Sequence, residues 1–296
     1  MKQQQFPLME PKIPDNVRGD LVVSFSGGKT SAYMSHEILR RYSDRFNLRF
    51  VFANTGQELE KTLEFVNRCD IEFGLNLVWV EAVINPEHGK GPTHKIVSFK
   101  TASRDGAPFE AVIAKYGIPS LRNPHCSGRL KADVISHYIK SIGLRGCYQA
   151  IGIRSDEGRR KSVSAVERYN ACYPLCDWFP TTRDDVNEFW WKKDFNLEIE
   201  AHEGNCQTCW KKSDRKLYLL ALEHPERFEF MIRAEIEFQH VKPNVEGTKR
   251  VFFRQHRSAK DIIAEAQDYT PEQLRALIGA DPDPLGNCAD SCEGYS

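Results

Sequence analysis

Short apolar runs alternate with helix-like segments through the first third of the chain, and this alternation constrains the fold most strongly. The runs 21–25, 48–53 and 77–80 have the length of buried strands, and segments 30–41 and 57–73 between them have the length and residue pattern of helices. Strands that alternate with helices of this length form βαβ units, in which the strands run parallel within one sheet. The sequence therefore predicts an α/β fold.

The remainder of the chain adds a further strand and then a mainly helical region. Residues 130–142 have amphipathic helical spacing, and residues 147–153 read as a strand. Residues 85–122 predict a long connection, of the kind that in a compact domain is usually functional or mobile. The predicted organisation is a flexible lead-in, an α/β domain, a helical cysteine-containing region and a cysteine-bearing tail, at 1–18, 19–200, 201–279 and 280–296.

Composition narrows the class of protein. Among 296 residues, Lys plus Arg and Asp plus Glu each total 41, so global charge gives no argument for nucleic acid, although local basic patches stay open. No run approaches the roughly 18–20 apolar residues that span a bilayer, and the N-terminus has no apolar core of signal-peptide length. Nine cysteines without an export signal indicate reduced thiols and make a metal site a candidate. We expect a cytoplasmic protein with no membrane partner.

The segment SFSGGKTSAYM joins the first predicted strand to the first predicted helix. Its glycines let backbone N–H groups turn toward an anion, the helix N-terminus adds its dipole, and Lys29 and the hydroxyls add donors. A Walker loop would need glycine at position 23, where this chain has valine. The segment fits the shorter Ser-Gly-Gly-x-x-Ser loop of the ATP pyrophosphatase (PP-loop) group, with Thr30 where that loop usually carries aspartate.

Three later segments follow in the order found in one family. NPHCSGRLKADVI resembles the Cys-x-x-Arg-Lys region of adenylyl-sulfate and phosphoadenylyl-sulfate reductases, AIGIRSDEGRR resembles their arginine loop, and GNCQTCWKKSDRK resembles their later Cys-x-x-Cys. Over roughly 20–260 the chain thus resembles phage and plasmid-type members of the phosphoadenosine phosphosulfate (PAPS) reductase family, within the adenine nucleotide alpha-hydrolase-like superfamily. The resemblance implies a flavodoxin-like parallel sheet with helices on both faces, a mostly helical C-terminal region and a bound adenine nucleotide.

The same resemblance assigns the site residues. The residues that would wrap the phosphate or sulfate end of the nucleotide are Ser24, Ser26, Gly27, Gly28, Lys29, Thr30 and Ser31. After the second strand, Asn54, Thr55 and Gly56 would border the nucleotide. The anionic substrate would be contacted by Arg154, Arg159 and Arg160. Lys29 and the three arginines are the candidate catalytic residues, because the arginine fork suits phosphate and sulfate oxygens. The alternative for the arginines is a solvated loop that Asp156 and Glu157 partly neutralise.

Cys206 and Cys209 form a Cys-x-x-Cys pair, which alone fits half a zinc site, half an iron–sulfur site or a redox pair. In reductases that carry a [4Fe-4S] cluster, a Cys-Cys pair completes the set, whereas this chain reads His-Cys at that place. The resemblance implies a [4Fe-4S] cluster, with zinc as the alternative. The predicted ligands are Cys126, Cys206 and Cys209, with Cys288 or Cys292 as the fourth. His125 is the less favoured alternative for the fourth ligand.

Two reactions follow from the resemblance. Reduction of adenylyl sulfate or PAPS would need a thiol reductant, yet the reductase tail Glu-Cys-Gly-x-His is replaced here by NCADSCEGYS. ATP-dependent sulfur transfer would need a sulfur donor and a tRNA, DNA or nucleoprotein acceptor, and Lys29, backbone donors and bound Mg²⁺ would stabilise departing pyrophosphate. The alternative from another class is a non-catalytic nucleotide-binding accessory factor of a plasmid or phage nucleic-acid system.

Overall fold

The computed structural model describes residues 19–120, 123–200, 202–242, 248–254 and 256–280. The predicted lead-in and both tail cysteines lie outside these ranges. The described strands are β1 (Gly19–Phe25), β2 (Phe46–Asn54), β3 (Val78–Val83), β4 (Thr93–Val97), β5 (Tyr148–Ala150) and β6 (Ala171–Cys172). They form one sheet in the order β4-β3-β2-β1-β5-β6.

Helices connect and follow these strands. They are α1 (Lys29–Tyr42), α2 (Glu60–Phe73), α3 (Ala107–Tyr116), α4 (His125–Ser127), α5 (Asp133–Ser141), α6 (Val163–Tyr169), α7 (Pro174–Asp177), α8 (Arg183–Trp191), α9 (Asp214–Glu223), α10 (Glu229–Phe238), α11 (Ala259–Ala266) and α12 (Pro271–Gly279). A π-helical turn, Gly128–Ala132, joins α4 to α5. None of the helices within the described ranges is long and apolar enough to cross a membrane.

The sheet buries both faces because successive strand residues point to opposite sides. Val23 of β1 and Phe52 of β2 lie in an apolar cluster with residues of α1, α2 and α8. Val22 and Val51, one position away, lie in a second cluster with residues of α3, α5 and the C-terminal helices. The predicted α/β architecture, a largely parallel sheet with helices on both faces and a mostly helical C-terminal region, is confirmed. β4 is the exception, because it pairs antiparallel with β3.

The prediction of a long connection at 85–122 is wrong, because this segment contains β4 and α3. β4 lies at the sheet edge and exposes Lys95 and Ile96, so no apolar run marks it in the sequence. In α3 the buried residues include Phe109, Val112 and Ile113. That helical spacing was a readable signal within the segment.

The order of the strands creates a crevice at β1. The chain moves outward from β1 through β2 to β3 and then returns to the other side of β1 as β5, where Val23 pairs with Ala150. Ligands in such sheets bind beyond the carboxyl ends of the strands at this reversal. The segments that follow β1 and β5 therefore meet at the place where a ligand is expected.

A buried carboxylate ties two C-terminal elements together. Glu235 on α10 accepts hydrogen bonds from the backbone N–H groups of Phe252 and Ala259, each at 2.9 Å, and Ala259 begins α11. Burial raises the pKa of Glu235 to about 7, although the two backbone donors act in the opposite direction. The folded protein therefore binds a proton at Glu235 at a pH where the unfolded chain has lost it.

This raised pKa predicts a pH-dependent stability. The contribution of Glu235 is fully present below the unfolded value near 4.5 and is lost as pH rises through about 7. We expect the free energy of unfolding to carry a decrease of about 2–3 kcal/mol from this group between those limits. Denaturant titrations across this range should show a flatter profile for Glu235→Gln, whereas Glu237→Gln on the exposed side of α10 should keep the wild-type slope. A Glu235→Gln profile as steep as wild type would contradict the assignment.

Candidate functional site

The glycine loop, residues 24–31, is folded tightly between β1 and α1. Ser31 Oγ accepts hydrogen bonds from the N–H of Ser26 at 3.0 Å and from its Oγ at 2.9 Å, and donates to the carbonyl of Gly28 at 2.9 Å. Gly27 has φ +89°, a conformation that favours glycine, and a Cβ there would make a tight 3.0 Å contact with Thr62 Cγ2. The N-cap of α1 is Gly28, which has no side chain to cap the helix, and the first turn has no acidic residue. The first N–H groups of α1 thus suit an anion.

A pocket of about 340 Å³ opens over this loop. Its walls come from the glycine loop, the start of α2, the π-helical turn, the segment after β5, the first turns of α8 and a stretch within 197–205. The ionisable residues that line it are Lys29, Lys131, Arg154 and Arg183, with Glu58, Glu157 and Glu200. Among the residues that the structure describes, four basic side chains against three acidic ones leave this lining net positive, which suits an anionic ligand.

Arg154 links the segment after β5 to the glycine loop. Its Nη1 donates to Thr30 Oγ1 at 3.2 Å, and its Nε donates to Asp156 Oδ1 at 3.0 Å. Its Nη2 donates to Glu157, which also accepts from Arg160 Nη1 at 2.9 Å. Arg154 is only 8% exposed and so is not solvated, but Asp156 and Glu157 do pair with it, as the alternative reading expected. The two predicted anion-binding segments do come together.

The three predicted arginines differ in placement. Arg154 lines the pocket. Arg160 is not in the lining, but it donates a hydrogen bond to Glu157, which is in the lining. Arg159 lies in the same turn, Ser155–Arg160, and is exposed. The close approach of this segment to the glycine loop depends on Gly152, where a Cβ would lie 3.2 Å from Ser31 Cα. Arg154 is therefore the arginine best placed to contact a ligand.

Lys29 is half-buried at the start of α1. Burial lowers the pKa of its ammonium, because the charged form loses water. Its carbonyl accepts a hydrogen bond from Trp190 Nε1 of α8 at 3.0 Å. A bound anion would favour the charged form of Lys29 and offset the cost of burial.

The predicted second-strand residues lie behind the pocket and not in its lining. Asn54 Nδ2 donates to Glu81 Oε1 at 2.7 Å, Thr55 Oγ1 donates to Glu58 Oε1 at 2.8 Å, and Gly56 has φ +79°. Of these five residues, Glu58 lines the pocket. The structure thus places Asn54, Thr55 and Gly56 as supports of the site.

Sequence reasoning missed two basic residues of the lining. Lys131 lies in the π-helical turn, and such turns occur often at functional sites. Arg183 begins α8 just after the capping residue Thr182. Lys131 lay within a segment that carried the family resemblance, so a signal existed for it, whereas nothing in the sequence marked Arg183 as facing the glycine loop.

The Cys-x-x-Cys segment lies against the loop that follows β2. Cys206 and Cys209 are buried, and the N–H of Cys209 donates to the carbonyl of Cys206 at 3.2 Å. Thr55 Oγ1 lies 3.8 Å from Cys206 Sγ, and the preceding residue, Asn205, lines the pocket. The two thiols therefore lie beside the candidate anion site.

The surroundings of this pair allow a test of the predicted cluster. Thr208 Oγ1 and Trp210 Nε1 are buried with no hydrogen-bond partner among the described residues. Two thiols with spare O–H and N–H donors suit a sulfur-rich anionic group, whose sulfurs accept hydrogen bonds. Within the described ranges, however, no three His, Cys, Asp or Glu side chains form a group that could hold a metal ion. The described residues thus supply a two-cysteine part of such a site, and the cluster stays a prediction.

The other predicted metal ligands are Cys126, His125 and the two tail cysteines. Cys126 in α4 is half-buried and packs against the apolar cluster that includes Trp210. The neighbouring ring of His125 lies 5.5 Å from that of Tyr116, and burial together with the charge of Arg250 lowers the pKa of His125 to about 4. Cys288 and Cys292 lie outside the described residues.

Comparisons with known proteins identify the family of this chain. Residues 20–198 match the family model described as the phosphoadenosine phosphosulfate reductase domain. The chain therefore belongs to the PAPS reductase family. It is 31% identical over 280 residues to an uncharacterised nin region protein, ORF290, of Escherichia phage lambda, with 92% of this chain and 94% of that protein covered. The predicted resemblance to phage-type members is confirmed.

A solved structure is also similar. It is the crystal structure of phosphoadenylyl-sulfate (PAPS) reductase from Candida auris in a phosphate complex, with 15% identity and a TM-score of 0.35. The match covers 58% of this chain and 72% of that chain.

Proposed function

We propose that this chain binds an adenine nucleotide, with the anionic end of the nucleotide on the glycine loop, and uses it in sulfur chemistry. One observation carries the proposal: Lys29 and Arg154, from segments that follow different strands, line one net-positive pocket at the reversal of the sheet. Fixed ammonium and guanidinium groups with helix N–H donors are the chemistry that recognises phosphate and sulfate oxygens. Membership of the PAPS reductase family supports adenine as the base and a sulfonucleotide as the substrate class.

The nearby thiols support the sulfur chemistry. Cys206 follows the pocket-lining Asn205 in the chain and contacts Thr55 behind the pocket, which supports a thiol-based or cluster-based step close to a bound nucleotide. A [4Fe-4S] cluster on this pair and the other predicted cysteines would supply electrostatic and redox chemistry when bound, and zinc is the alternative. The proposal places the protein in the cytoplasm, where such thiols stay reduced.

Reduction of a sulfonucleotide is the first candidate reaction. A thiol reductant would supply two electrons, and sulfite and a nucleotide would leave the pocket. ATP-dependent sulfur transfer to a tRNA, DNA or nucleoprotein acceptor is the second candidate, and the departure of the tail from Glu-Cys-Gly-x-His favours it. In that reaction ATP would be cleaved to AMP and pyrophosphate.

One assay separates the candidates. The full chain, purified without oxygen, is incubated with adenylyl sulfate, PAPS or ATP in the presence of dithiothreitol, with sulfide as sulfur donor and tRNA or DNA as acceptor in the ATP reactions, and sulfite and pyrophosphate are measured together with binding of each nucleotide. We expect sulfite from a sulfonucleotide. Pyrophosphate from ATP would select sulfur transfer, and binding without either product would select the accessory role. No binding of any adenine nucleotide would overturn the proposed function.

A further inference from the structure

A second group of cations surrounds the ring of Tyr116, at the end of α3. Arg129 Cζ lies 5.0 Å from the centroid of this ring, and the Nζ atoms of Lys115 and Lys242 each lie 5.4 Å from it. Cations within about 6 Å of an aromatic ring are attracted by the negative potential of its face. The ring therefore gathers positive charge from α3, from the π-helical turn and from the segment that follows α10.

Arg250 adds a buried charge to this group. It is only 4% exposed, and its Nη1 donates to the carbonyl of Lys242 at 2.8 Å, whereas its Nη2 has no hydrogen-bond partner among the described residues. Gly117, directly after Tyr116, makes room for the guanidinium, since a Cβ there would lie 2.5 Å from Nη1. Burial lowers the pKa of Arg250, because its charged form loses water.

Carboxylates compensate little of this charge. Lys115 Nζ donates to backbone carbonyls, among them those of Lys90 at 2.7 Å and Glu87 at 2.9 Å. We refer to the basic side chains around this ring as the Tyr116 face: Lys90, Lys115, Arg129, Lys242 and Arg250. Within the described ranges, the one ion pair that any of them forms joins Arg129 Nη1 to Asp133 Oδ2 at 2.6 Å.

The Tyr116 face is thus a local excess of positive charge. Even with Asp133 and the exposed Glu87 counted, five basic side chains stand against two acidic ones in the described structure. The whole chain, in contrast, carries equal numbers of basic and acidic residues. A concentration of one sign of charge on an otherwise neutral protein attracts partners of the opposite sign.

A comparison with Arg154 shows what the Tyr116 face lacks. Arg154 is also buried, but it pairs with the carboxylates of Asp156 and Glu157. Arg250 has a backbone carbonyl as its described partner and no carboxylate. A buried charge without a counter-charge is costly, and a bound anion would offset part of that cost.

We propose that the Tyr116 face binds the phosphodiester backbone of a nucleic acid, outside the nucleotide pocket. Each nucleotide carries a charge, so one strand can contact the exposed Lys90 and Lys242 together with Arg129. Arg129 lies in the same π-helical turn as the pocket-lining Lys131, which connects this face to the wall of the pocket. The inference goes beyond the proposed function, and it rests on that function only in that an acceptor held here would suit ATP-dependent sulfur transfer.

The test measures binding of a fluorescein-labelled, mixed-sequence single-stranded DNA by fluorescence anisotropy over a range of salt concentrations. Unlabelled tRNA and polyglutamate serve as competitors. The full-length variants are the double substitution Lys90→Gln with Lys242→Gln, and the single substitutions Tyr116→Leu and Tyr116→Phe. The matched control is Lys140→Gln with Lys260→Gln, which removes two exposed lysines from α5 and α11. Circular dichroism reports folding, and binding of adenylyl sulfate reports on the nucleotide pocket.

For the wild type we expect binding that weakens steeply with salt and is displaced by tRNA. The Lys90→Gln and Lys242→Gln double variant should bind about 10-fold more weakly, and its dependence of log Kd on log salt should be shallower by about 1.4, at about 0.7 for each lost phosphate contact. Tyr116→Leu should also weaken binding, because the cations lose the ring that holds them together, and Tyr116→Phe should restore it. The control pair should keep the wild-type affinity and slope, and every variant should bind adenylyl sulfate as the wild type does.

A wild type that binds adenylyl sulfate but neither DNA nor tRNA would overturn this inference and leave the proposed function standing. Equal losses in the double variant and in the control pair would also overturn it, because the attraction would then not be specific to the Tyr116 face. Displacement by polyglutamate as efficiently as by tRNA would assign the face to an acidic protein instead. If Tyr116→Leu does not fold, the lysine variants still decide. A wild type that binds DNA but no adenine nucleotide would overturn the proposed function alone.

Discussion

Lys29→Met is expected to weaken binding of an adenine nucleotide by about 10- to 100-fold, the range for losing a charge-assisted hydrogen bond to an anion. Lys29 is half-buried at the start of α1 and lines the pocket, so its ammonium faces the place where the anionic end would lie. Methionine keeps much of the apolar stem and removes the charge. Because burial lowers the pKa of Lys29, removing the charge should leave the free energy of unfolding unchanged or higher. Titration calorimetry with adenylyl sulfate, alongside thermal unfolding, measures both.

Lys61→Met is the matched control for this prediction. Lys61 is exposed on the first turn of α2 and lies in a neighbouring groove, outside the lining of the proposed nucleotide pocket. The control should bind with nearly wild-type affinity. The affinity of the wild type should also fall with added salt more steeply than that of Lys29→Met, since one ionic contact has been removed. Equal affinities of Lys29→Met and wild type would remove the glycine loop from the binding site.

Cys206→Ser and Cys209→Ser are expected to abolish iron and acid-labile sulfide that the wild type, purified without oxygen, should contain at about four each per chain. The two cysteines lie one turn apart in a buried segment, next to the spare donors Thr208 Oγ1 and Trp210 Nε1. Replacing one thiolate by a hydroxyl removes a soft ligand that iron in a sulfide cluster requires. Metal analysis, sulfide determination and the visible absorption band near 400 nm report the loss.

Cys147→Ser is the control, because Cys147 lies half-buried just before β5 and burial raises the pKa of its thiol. It should keep the iron and sulfide of the wild type. Cys288→Ser and Cys292→Ser should differ from each other, and the one that loses the signal identifies the fourth ligand. Stoichiometric zinc without sulfide would replace the cluster by a zinc site, and neither metal in the wild type would refute both.

The site residues that could be predicted from the sequence are those whose positions depend on residues nearby in the chain. The glycine loop was predictable because a strand, a glycine pair and a helix start fix its geometry locally, and Arg154 was predicted through the family resemblance of the segment AIGIRSDEGRR. Asn54 could not be placed, since its side chain is oriented by Glu81, which the parallel pairing of β2 with β3 sets opposite it. Arg183 was missed for the same reason, because only the packing of α8 brings it to the pocket.

Two further elements, β4 and α3, were not predicted from the sequence, and the reasons differ. β4 has no alternating apolar signal because both faces of this edge strand are partly exposed. α3 was overlooked among the glycine and proline residues that precede it, although its apolar spacing was regular. The tail cysteines lie outside the described residues, so their predicted role stays a prediction.

The pocket wall formed by Gly204 and Asn205 limits which segments of this chain can be swapped with those of a related protein. The family match ends at residue 198, yet the lining continues beyond it. Lys212, which is fully buried, holds this wall by donating from Nζ to the carbonyl of Gly204 at 2.7 Å. A chimera that took only the matched segment would carry the glycine loop and Arg154 into a host without their opposite wall. A functional exchange with a relative would therefore have to carry residues 199–212 together with the matched segment.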